Sequence, residues 1–203
     1  MELELLDWKR RVFELYAEVR ASPEPEQAWR QWRLVRDELF GSHPQSPLPR
    51  DRSTFSGLDY FPYDAGLRVL ADVAAMPGEP REIHASGGTT IAFRRFGRVV
   101  FALAGQVRTL ELYWLEGYGG GVFLPFADAT SGGETYGGGR YLLDTVKGSD
   151  LGSELGRVVL DFNFAYNPSC AYDVRWVCPL TPCANRLEFA IRAGERVAPA
   201  RAD

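Results

Sequence analysis

Apolar residues recur at spacings of three and four along the N-terminal part of the chain. The two runs are Leu5, Trp8, Val12, Leu15 and Val19, and then Ala28, Trp32, Val35 and Leu39. This spacing predicts two amphipathic helices, which the stretch "SPEPE" separates and Gly41 ends. Because the pattern is not sustained, we expect two short antiparallel helices packed on a sheet rather than a coiled coil.

From residue 66 onwards the apolar period changes to two, which is typical of strands. Two hairpins are predicted, one turning at Gly87 and Gly88 and one turning near Gly105. Further strand-like segments are "GVFLPFAD", "GRYLLDTV", "GRVVLDFNFAY", "YDVRWVC" and "NRLEFAIRA". Roughly nine strands without helices between them predict a mainly β (α+β) fold. We expect an antiparallel, barrel-like meander with two N-terminal helices packed against it.

At 203 residues the chain fits a single domain with a sizeable core. We divide it into a helical pair at 1–41, a proline-rich linker loop at 42–65, a barrel-like body at 66–195 and a tail at 196–203. The linker shows no periodicity. A loop of this length in a compact domain is usually functional or wraps the surface.

Composition and charge exclude several classes of protein. Hydrophobic residues at 45% and charged residues at 25% are ordinary globular values. A net charge of -4 argues against a nucleic-acid partner, and no apolar run approaches the roughly 20 residues of a membrane span. The N-terminus lacks the apolar core of a signal peptide, so we expect a cytoplasmic protein. In that compartment cysteines are more often free thiols, ligands or nucleophiles than disulfides.

The first candidate site is the segment "DFNFAYNPSC". Taken as a strand, it places Asp161, Asn163 and Asn167 on one face and apolar side chains on the other. Asparagine is depleted in strands and its short amide suits fixed hydrogen bonds, so this polar row is predicted to line a pocket. The alternative is that these side chains satisfy a bulged or turning backbone.

The second candidate site is the glycine-rich segment "TSGGETYGGGRY". Its glycines permit positive φ and a close approach to a ligand, although no P-loop ending follows them. Arg140 is predicted to bind a carboxylate or phosphate at a pocket mouth. The alternative is an ion pair with an internal acid such as Asp128 or Asp161. Four tyrosines lie in or beside the two segments, and they are predicted either to form pocket walls or to be ordinary half-buried strand residues. They are Tyr136, Tyr141, Tyr166 and Tyr172.

All three cysteines, Cys170, Cys178 and Cys183, fall in the same region. Their spacing lacks the paired knuckles of structural zinc sites, and we predict no metal site. A disulfide and a catalytic Cys170 are open alternatives, and the second requires a base, cation or helix N-terminus that lowers the pKa of the thiol. Buried, unreactive cysteine is the favoured interpretation.

The motifs of these segments resemble those of one known family. They are Phe126-x-Asp128-x-Thr130-x-Gly132, Thr135-Tyr136-Gly137-Gly138-Gly139-Arg140-Tyr141, Asp161-Phe162-Asn163, Tyr166-Asn167-Pro168-x-Cys170-Ala171-Tyr172, Cys178-Pro179, Asn185 and Ala193-Gly194-Glu195. From about Trp8 to Glu195 the chain is similar to the bacterial and archaeal proteins called domain of unknown function 1684. The resemblance implies no particular activity, cofactor or catalytic residue. It implies that Cys183 lies outside the family pattern, that Cys170 and Cys178 are the pair of interest, and that the two candidate segments form two walls of one site.

The sequence therefore predicts a pocket that binds a small polar or anionic molecule. Its predicted ligand-binding residues are Arg140, Tyr136, Tyr141, Asn163, Asn167 and Tyr172, with Asp161 and Cys170 as candidate catalytic residues. The sequence names no cofactor and leaves open whether a reaction follows binding, since no HExxH, GxSxG or P-loop motif is present. The alternatives are a hydrolase or transferase that uses Cys170 or Asp161, and a structural module whose helical pair forms a homodimer.

Overall fold

The N-terminal part of the computed structural model consists of two helices, α1 (Glu2–Ala21) and α2 (Pro25–Ser42). Pro25 stands in the first turn of α2, where a fixed φ suits the helix and no backbone N–H is needed. The residues that the pair buries are Leu15, Tyr16, Ala28, Trp29, Trp32, Leu39 and Phe40. The predicted helical pair is confirmed. The structure describes residues 1–197, so most of the predicted tail at 196–203 lies outside the described residues.

Seven strands form one antiparallel sheet in the order β5-β4-β3-β2-β1-β7-β6. Their bounds are β1 Arg68–His84, β2 Thr90–Leu103, β3 Gln106–Leu115, β4 Gly121–Phe126, β5 Arg140–Asp144, β6 Ser153–Glu154 and β7 Arg157–Asp161. The antiparallel meander with two N-terminal helices is confirmed. The description "barrel-like" holds only loosely, because the outermost strands, β5 and β6, do not pair and the sheet is not closed.

Both predicted hairpins are present. Strands β1 and β2 pair around a turn that contains Gly87 and Gly88, with Gly88 at a φ of 76°. Strands β2 and β3 are joined by Ala104 and Gly105, whose φ values of 50° and 74° are both positive. A two-residue turn with two positive φ values matches the right-handed twist of the strands that it joins, which explains the glycine there.

Two segments predicted as strands, 172–178 and 185–193, are not strands in the structure. In both segments, side-chain hydrogen bonds link the loop to neighbouring strands or turns. In the first segment the Cys178 N–H donates to Ser86 Oγ at 3.1 Å. In the second, the side-chain amide of Asn185 donates to carbonyl oxygens of β3 and β4, at 3.0 and 2.8 Å. These polar side chains anchor the segments to the sheet as loops.

Two apolar clusters hold the layers together. The first packs the sheet against the C-terminal segment and includes Val99, Leu110, Leu124, Phe126, Phe162 and Ile191. The second joins the helices to the body and includes Trp32, Tyr60, Val159 and Phe164. Trp32 is fully buried, and its ring meets those of Tyr60 and Phe164 edge to face. Because each large apolar side chain contributes roughly 1.5–3 kcal/mol on burial, these contacts fix the helical pair against the body.

Candidate functional site

Arg140 begins β5 and lies inside the protein. Its guanidinium pairs with the buried Asp128 carboxylate at 2.7 Å and donates to the carbonyl oxygens of Ile191, at 3.0 Å, and Ala193. Burial lowers the pKa of Arg140, and the charge of Asp128 opposes that shift. The expected position at a pocket mouth is therefore corrected: Arg140 forms the internal ion pair that was the alternative, and it braces the C-terminal segment.

Strand β7 ends at Asp161, and residues 162–164 turn into a short 3-10 helix. The Asp161 carboxylate accepts hydrogen bonds from the backbone N–H and the side-chain amide of Asn163, at 2.9 and 2.8 Å. The Asn163 amide also accepts from the Asp64 backbone at 2.9 Å and donates to it at 2.8 Å. The predicted polar strand face is therefore wrong over this segment, because the side chains satisfy a turning backbone instead. These bonds leave Asn163 fully buried.

The second carboxylate oxygen of Asp161, Oδ2, has no hydrogen-bond partner among the described residues. Asp161 is 1% exposed and lines a cleft of about 370 Å³ together with Arg20, Arg68 and Glu154. Burial raises the pKa of Asp161 to about 6, and the hydrogen bonds from Asn163 only partly oppose that rise. Asp161 is thus able to exchange a proton near neutral pH. The other candidate residues do not line this cleft.

A second cleft lies between the helical pair and the body. This helix–body cleft is open to solvent and measures about 520 Å³ with the solvent at its open side included. Its walls include Trp8 and Tyr16 of α1, Arg36 of α2, and Tyr141, Asn167 and Tyr172 of the body. Of the residues predicted to bind a ligand, the structure brings Tyr141, Asn167 and Tyr172 together here. The helical residues were missed as site residues, since an apolar stripe at helical spacing indicates packing alone.

A buried charge network centred on Glu195 borders the helix–body cleft. Arg36 donates to the Glu195 carboxylate at 2.7 Å and to the Tyr60 hydroxyl at 3.0 Å, and the Tyr172 hydroxyl also donates to Glu195. Burial raises the pKa of Glu195, and the charge of Arg36 opposes that rise. The charge of Arg36 is already compensated inside the protein, so Arg36 and Tyr172 organise this side of the cleft.

Asn167 lines the helix–body cleft, and its side chain makes only some of the hydrogen bonds that it could make. Its backbone N–H donates to Glu195 at 3.1 Å, and its side-chain amide donates to the Arg196 carbonyl at 2.9 Å. The amide oxygen Oδ1 has no partner among residues 1–197, although Asn167 is only 3% exposed. A buried oxygen without a donor costs roughly 1–3 kcal/mol.

Lys147 lines the same cleft. Its side chain is 54% exposed, whereas that of Arg36 is 11% exposed, so Lys147 is the more accessible of these two cations. The Lys147 ammonium lies 3.3 Å from the Asp144 carboxylate and 5.9 Å from the centre of the Tyr141 ring. Tyr141 is itself buried, and its hydroxyl donates to the Pro179 carbonyl at 2.5 Å. Lys147 is therefore the cation that a ligand in this cleft reaches most easily.

One of the three cysteines, Cys170, directly follows Ser169, which lines the helix–body cleft. The Cys178 thiol is buried, whereas Cys170 is partly exposed and its sulfur lies 3.5 Å from the Tyr136 hydroxyl. The neighbouring Cys178 is the main reason that the pKa of Cys170 is lowered to about 6, and Cys170 together with burial raises the pKa of Cys178. All three cysteines are free thiols, and Cys183 is exposed.

Sequence reasoning did not identify Ser86 as part of this cluster. The Ser86 hydroxyl accepts from the Cys178 N–H at 3.1 Å and donates to the Trp176 carbonyl at 3.2 Å. It thereby fastens the Cys178 segment to the β1–β2 hairpin. Nothing in the sequence around Ser86, which stands beside a Gly-Gly turn, indicates a contact with Cys178, because the two residues are far apart along the chain.

The chain is similar to a protein of known structure and matches the model of one protein family. No helix within residues 1–197 is long and apolar enough to cross a membrane. No curated protein matches the chain. The solution NMR structure of an uncharacterised protein of Haloarcula marismortui is similar, with a TM-score of 0.58 and 34% identity, covering 84% of this chain and 93% of that chain. The model of the family described as "Protein of unknown function (DUF1684)" matches residues 53–196. The chain therefore belongs to the DUF1684 family.

Proposed function

We propose that this protein binds a small molecule in the helix–body cleft. The strongest support for the proposal is Asn167, which lines the cleft. Its side chain is buried, and its amide oxygen accepts no hydrogen bond from residues 1–197. A hydroxyl or amine of a bound molecule would supply a donor once the Asn167 side chain turns its amide oxygen toward the cleft. The cost of an unsatisfied buried oxygen, roughly 1–3 kcal/mol, would then be removed on binding.

The walls of the cleft favour a ligand with an aromatic or apolar body. The rings of Trp8, Tyr141 and Tyr172 line it, and sites for small molecules are typically apolar with a few placed polar groups. Both cations of the cleft are paired, Arg36 with Glu195 and Lys147 with Asp144, but the Lys147 side chain is the more exposed of the two. We therefore propose a flat molecule with a hydroxyl or amine for Asn167 and one negative charge for Lys147.

Arg140 enters this proposal indirectly. Its guanidinium donates to the backbone carbonyl of Ala193 and, at 3.4 Å, to that of Glu195. The Glu195 carboxylate in turn holds Arg36 and the Asn167 backbone at the cleft. Arg140 therefore supports one wall of the cleft without contacting the ligand.

A thermal-shift screen of small metabolites against the wild type, Lys147→Met and Lys9→Met tests the proposal. Lys9 is the only other lysine of the chain and is exposed on α1, so its variant controls for the loss of one positive charge. A ligand at a hundredfold its dissociation constant stabilises the fold by about 2.7 kcal/mol, which raises Tm by about 5–10 °C for a chain of this size. We expect the shift caused by an anionic ligand to shrink in Lys147→Met and to persist in Lys9→Met.

A third variant, Val12→Trp, fills the cleft from the α1 side, because Val12 lines it. This variant is expected to abolish the shift for any ligand that binds in the cleft, and its own melting curve without ligand reports whether it folds. A ligand whose shift is unchanged in both Lys147→Met and Val12→Trp binds elsewhere and contradicts the assignment.

An enzymatic role, a homodimer and a cytoplasmic location stay predictions. A hydrolase or transferase that uses Cys170 is supported by the lowered pKa of that thiol. A cytoplasmic location is supported by the three free cysteines, because thiols stay reduced in that compartment. Light scattering over a range of concentrations measures whether the molecular mass rises to that of a dimer. A homodimer is supported by four exposed apolar residues of α1. These residues are Leu3, Leu5, Leu6 and Phe13.

A further inference from the structure

The cleft that Asp161 lines shares no lining residue with the helix–body cleft. This Asp161 cleft lies between the end of α1, the start of α2 and strands β1, β6 and β7, and it measures about 370 Å³ with the solvent at its open side included. Its apolar walls include Val19, Leu151 and Phe164. Because sites for small molecules combine such walls with a few polar groups, the polar groups of this cleft indicate what kind of molecule fits it.

The Asp161 carboxylate is buried with one of its oxygens unpaired. Its Oδ1 accepts hydrogen bonds from the backbone N–H and the side-chain amide of Asn163, so this oxygen faces the turn at 162–164. Its Oδ2 has no hydrogen-bond partner within residues 1–197, although Asp161 is only 1% exposed. Arg68, the cross-strand neighbour of Asp161 on β1, pairs with Glu154 instead. Oδ2 is therefore a buried acceptor without a donor, which native proteins rarely leave unsatisfied.

Arg20 brings a positive charge to the same cleft. Its guanidinium donates to the Asp150 carbonyl at 2.7 Å, which is a neutral acceptor, and it forms no ion pair within the part of the chain that the structure describes. Its stem packs against Gly152, where a side chain would lie 2.9 Å from the Arg20 Cδ. Packing and the hydrogen bond thus hold this exposed side chain at the cleft.

We propose that the Asp161 cleft binds a small zwitterion, whose ammonium group contacts the Asp161 Oδ2 and whose carboxylate contacts Arg20. A ligand with only a positive charge would be repelled by Arg20, and one with only a negative charge would be repelled by ionised Asp161. A molecule with both charges satisfies both groups, and its carbon chain lies against Val19 and Phe164. The ammonium reaches Oδ2 once the Arg68 side chain, which is 25% exposed, moves outward.

Amide chemical-shift titration of the isotope-labelled chain with amino acids of graded length tests this proposal. Glycine, β-alanine, γ-aminobutyrate and δ-aminovalerate separate the two charges by one further carbon at each step. Butylammonium and butyrate carry one charge each and serve as controls. We expect at least one member of the series to cause saturable shifts at Arg20, Leu151 and Asp161. Its affinity is expected to exceed that of either control by about tenfold or more, because the controls satisfy only one of the two groups.

Three variants assign the contacts. Arg20→Met keeps an apolar stem against Gly152 and removes the charge, whereas Asp161→Asn keeps an acceptor for the turn and removes the carboxylate. Both are expected to weaken binding by about tenfold or more. Arg10→Met removes an exposed arginine of the same helix that does not line the cleft, so it should leave binding unchanged. Melting curves without ligand report whether each variant folds, and the exposed position of Arg20 keeps the test available if Asp161→Asn is unstable.

The pH dependence of binding supplies an independent readout. The ammonium group binds the ionised form of Asp161, whose pKa burial raises to about 6. The affinity is therefore expected to be highest above about pH 7 and to fall as the pH decreases through about 6. The other charged or titratable groups around this carboxylate are Arg20, Tyr63, Arg68 and Glu154. In Asp161→Asn the dependence on pH is expected to disappear.

Three results overturn the proposal. The absence of saturable shifts with every member of the series would mean that water alone satisfies the Asp161 Oδ2. Equal affinity for γ-aminobutyrate and its singly charged controls, or an affinity that is unchanged in Arg20→Met, would show that the two charges are not read together. Shifts confined to Lys147 and 166–172 would assign the compound to the helix–body cleft instead, so the two sites are tested separately.

Discussion

Arg140 and Asp128 face each other inside the protein at 2.7 Å, and both side chains are almost inaccessible to water. Removing two charges from water costs several kcal/mol per ion, and their mutual attraction offsets that cost only with good geometry and additional hydrogen bonds. The carbonyl oxygens of Ile191 and Ala193 supply those bonds for Arg140. Such a pair contributes little net stability compared with an apolar replacement, but the loss of one partner leaves a buried charge.

We expect Arg140→Met to lower the free energy of unfolding by about 3–5 kcal/mol, because Asp128 is left without its counter-charge. Urea denaturation measures this difference. The double variant Arg140→Met/Asp128→Leu should recover part of the loss, since it removes the uncompensated carboxylate. A loss of less than about 1 kcal/mol in the single variant would show that Asp128 reaches another partner or water on its own.

The identity of the partner of Arg140 could not be read from the sequence. The run of glycines before it is compatible with a ligand and with a close backbone contact. In the structure Gly139 has a φ of 90°, and a side chain there would lie 2.7 Å from the Phe126 carbonyl of β4. The glycine is therefore required by the neighbouring strand, a contact that spacing along the chain does not indicate.

At the scale of elements, Asp161 ends β7 and caps the 3-10 turn that follows it. Burial raises its pKa from an ordinary value of 3.8 to about 6. The folded protein therefore binds this proton more tightly than the unfolded chain does. The resulting stabilisation is fully present below the unfolded pKa of about 4 and is lost as the pH rises through about 6.

The variant Asp161→Asn keeps the capping oxygen and removes this titration. We expect its unfolding free energy, relative to that of the wild type, to improve by on the order of 2 kcal/mol between pH 4 and pH 7. Urea denaturation of both proteins at each pH gives this difference, in which the contribution of the buried Glu195 cancels. A difference that is independent of pH would mean that Asp161 titrates alike in the folded and unfolded chains.

The elements that the sequence predicted are those set by local periodicity and turn chemistry. The stripes of α1 and α2 and the turns at Gly88 and Gly105 depend on neighbours within a few residues. The strand predicted over 162–167 failed because the Asp161 side chain takes the Asn163 N–H. The strand predicted over 172–178 failed because Ser86, far away in the chain, takes the Cys178 N–H. Hydrophobic alternation carries no information on such competing side-chain bonds.

At the scale of the whole molecule, the helix–body cleft is formed by docking the helical pair onto the sheet. Its polar border depends on Arg36 of α2 meeting Glu195, near the end of the described chain. The sequence correctly brought Tyr141, Asn167 and Tyr172 to one place, since the segments that carry them resemble paired motifs of one family. It gave no indication that the helices complete the cleft, because Trp8 and Tyr16 fit a packing stripe equally well.

The measurement that tests ligand binding in the helix–body cleft most directly is amide chemical-shift mapping of the whole chain. The probe is the compound that the thermal-shift screen selects. We predict that the largest shifts fall at Lys147, at 166–172 and on the facing residues of α1, while the hairpin turn at Ala104 and Gly105 stays unchanged. Shifts confined to the separate cleft lined by Arg81, His84 and Cys183, with none at Lys147 and Asn167, would contradict the account.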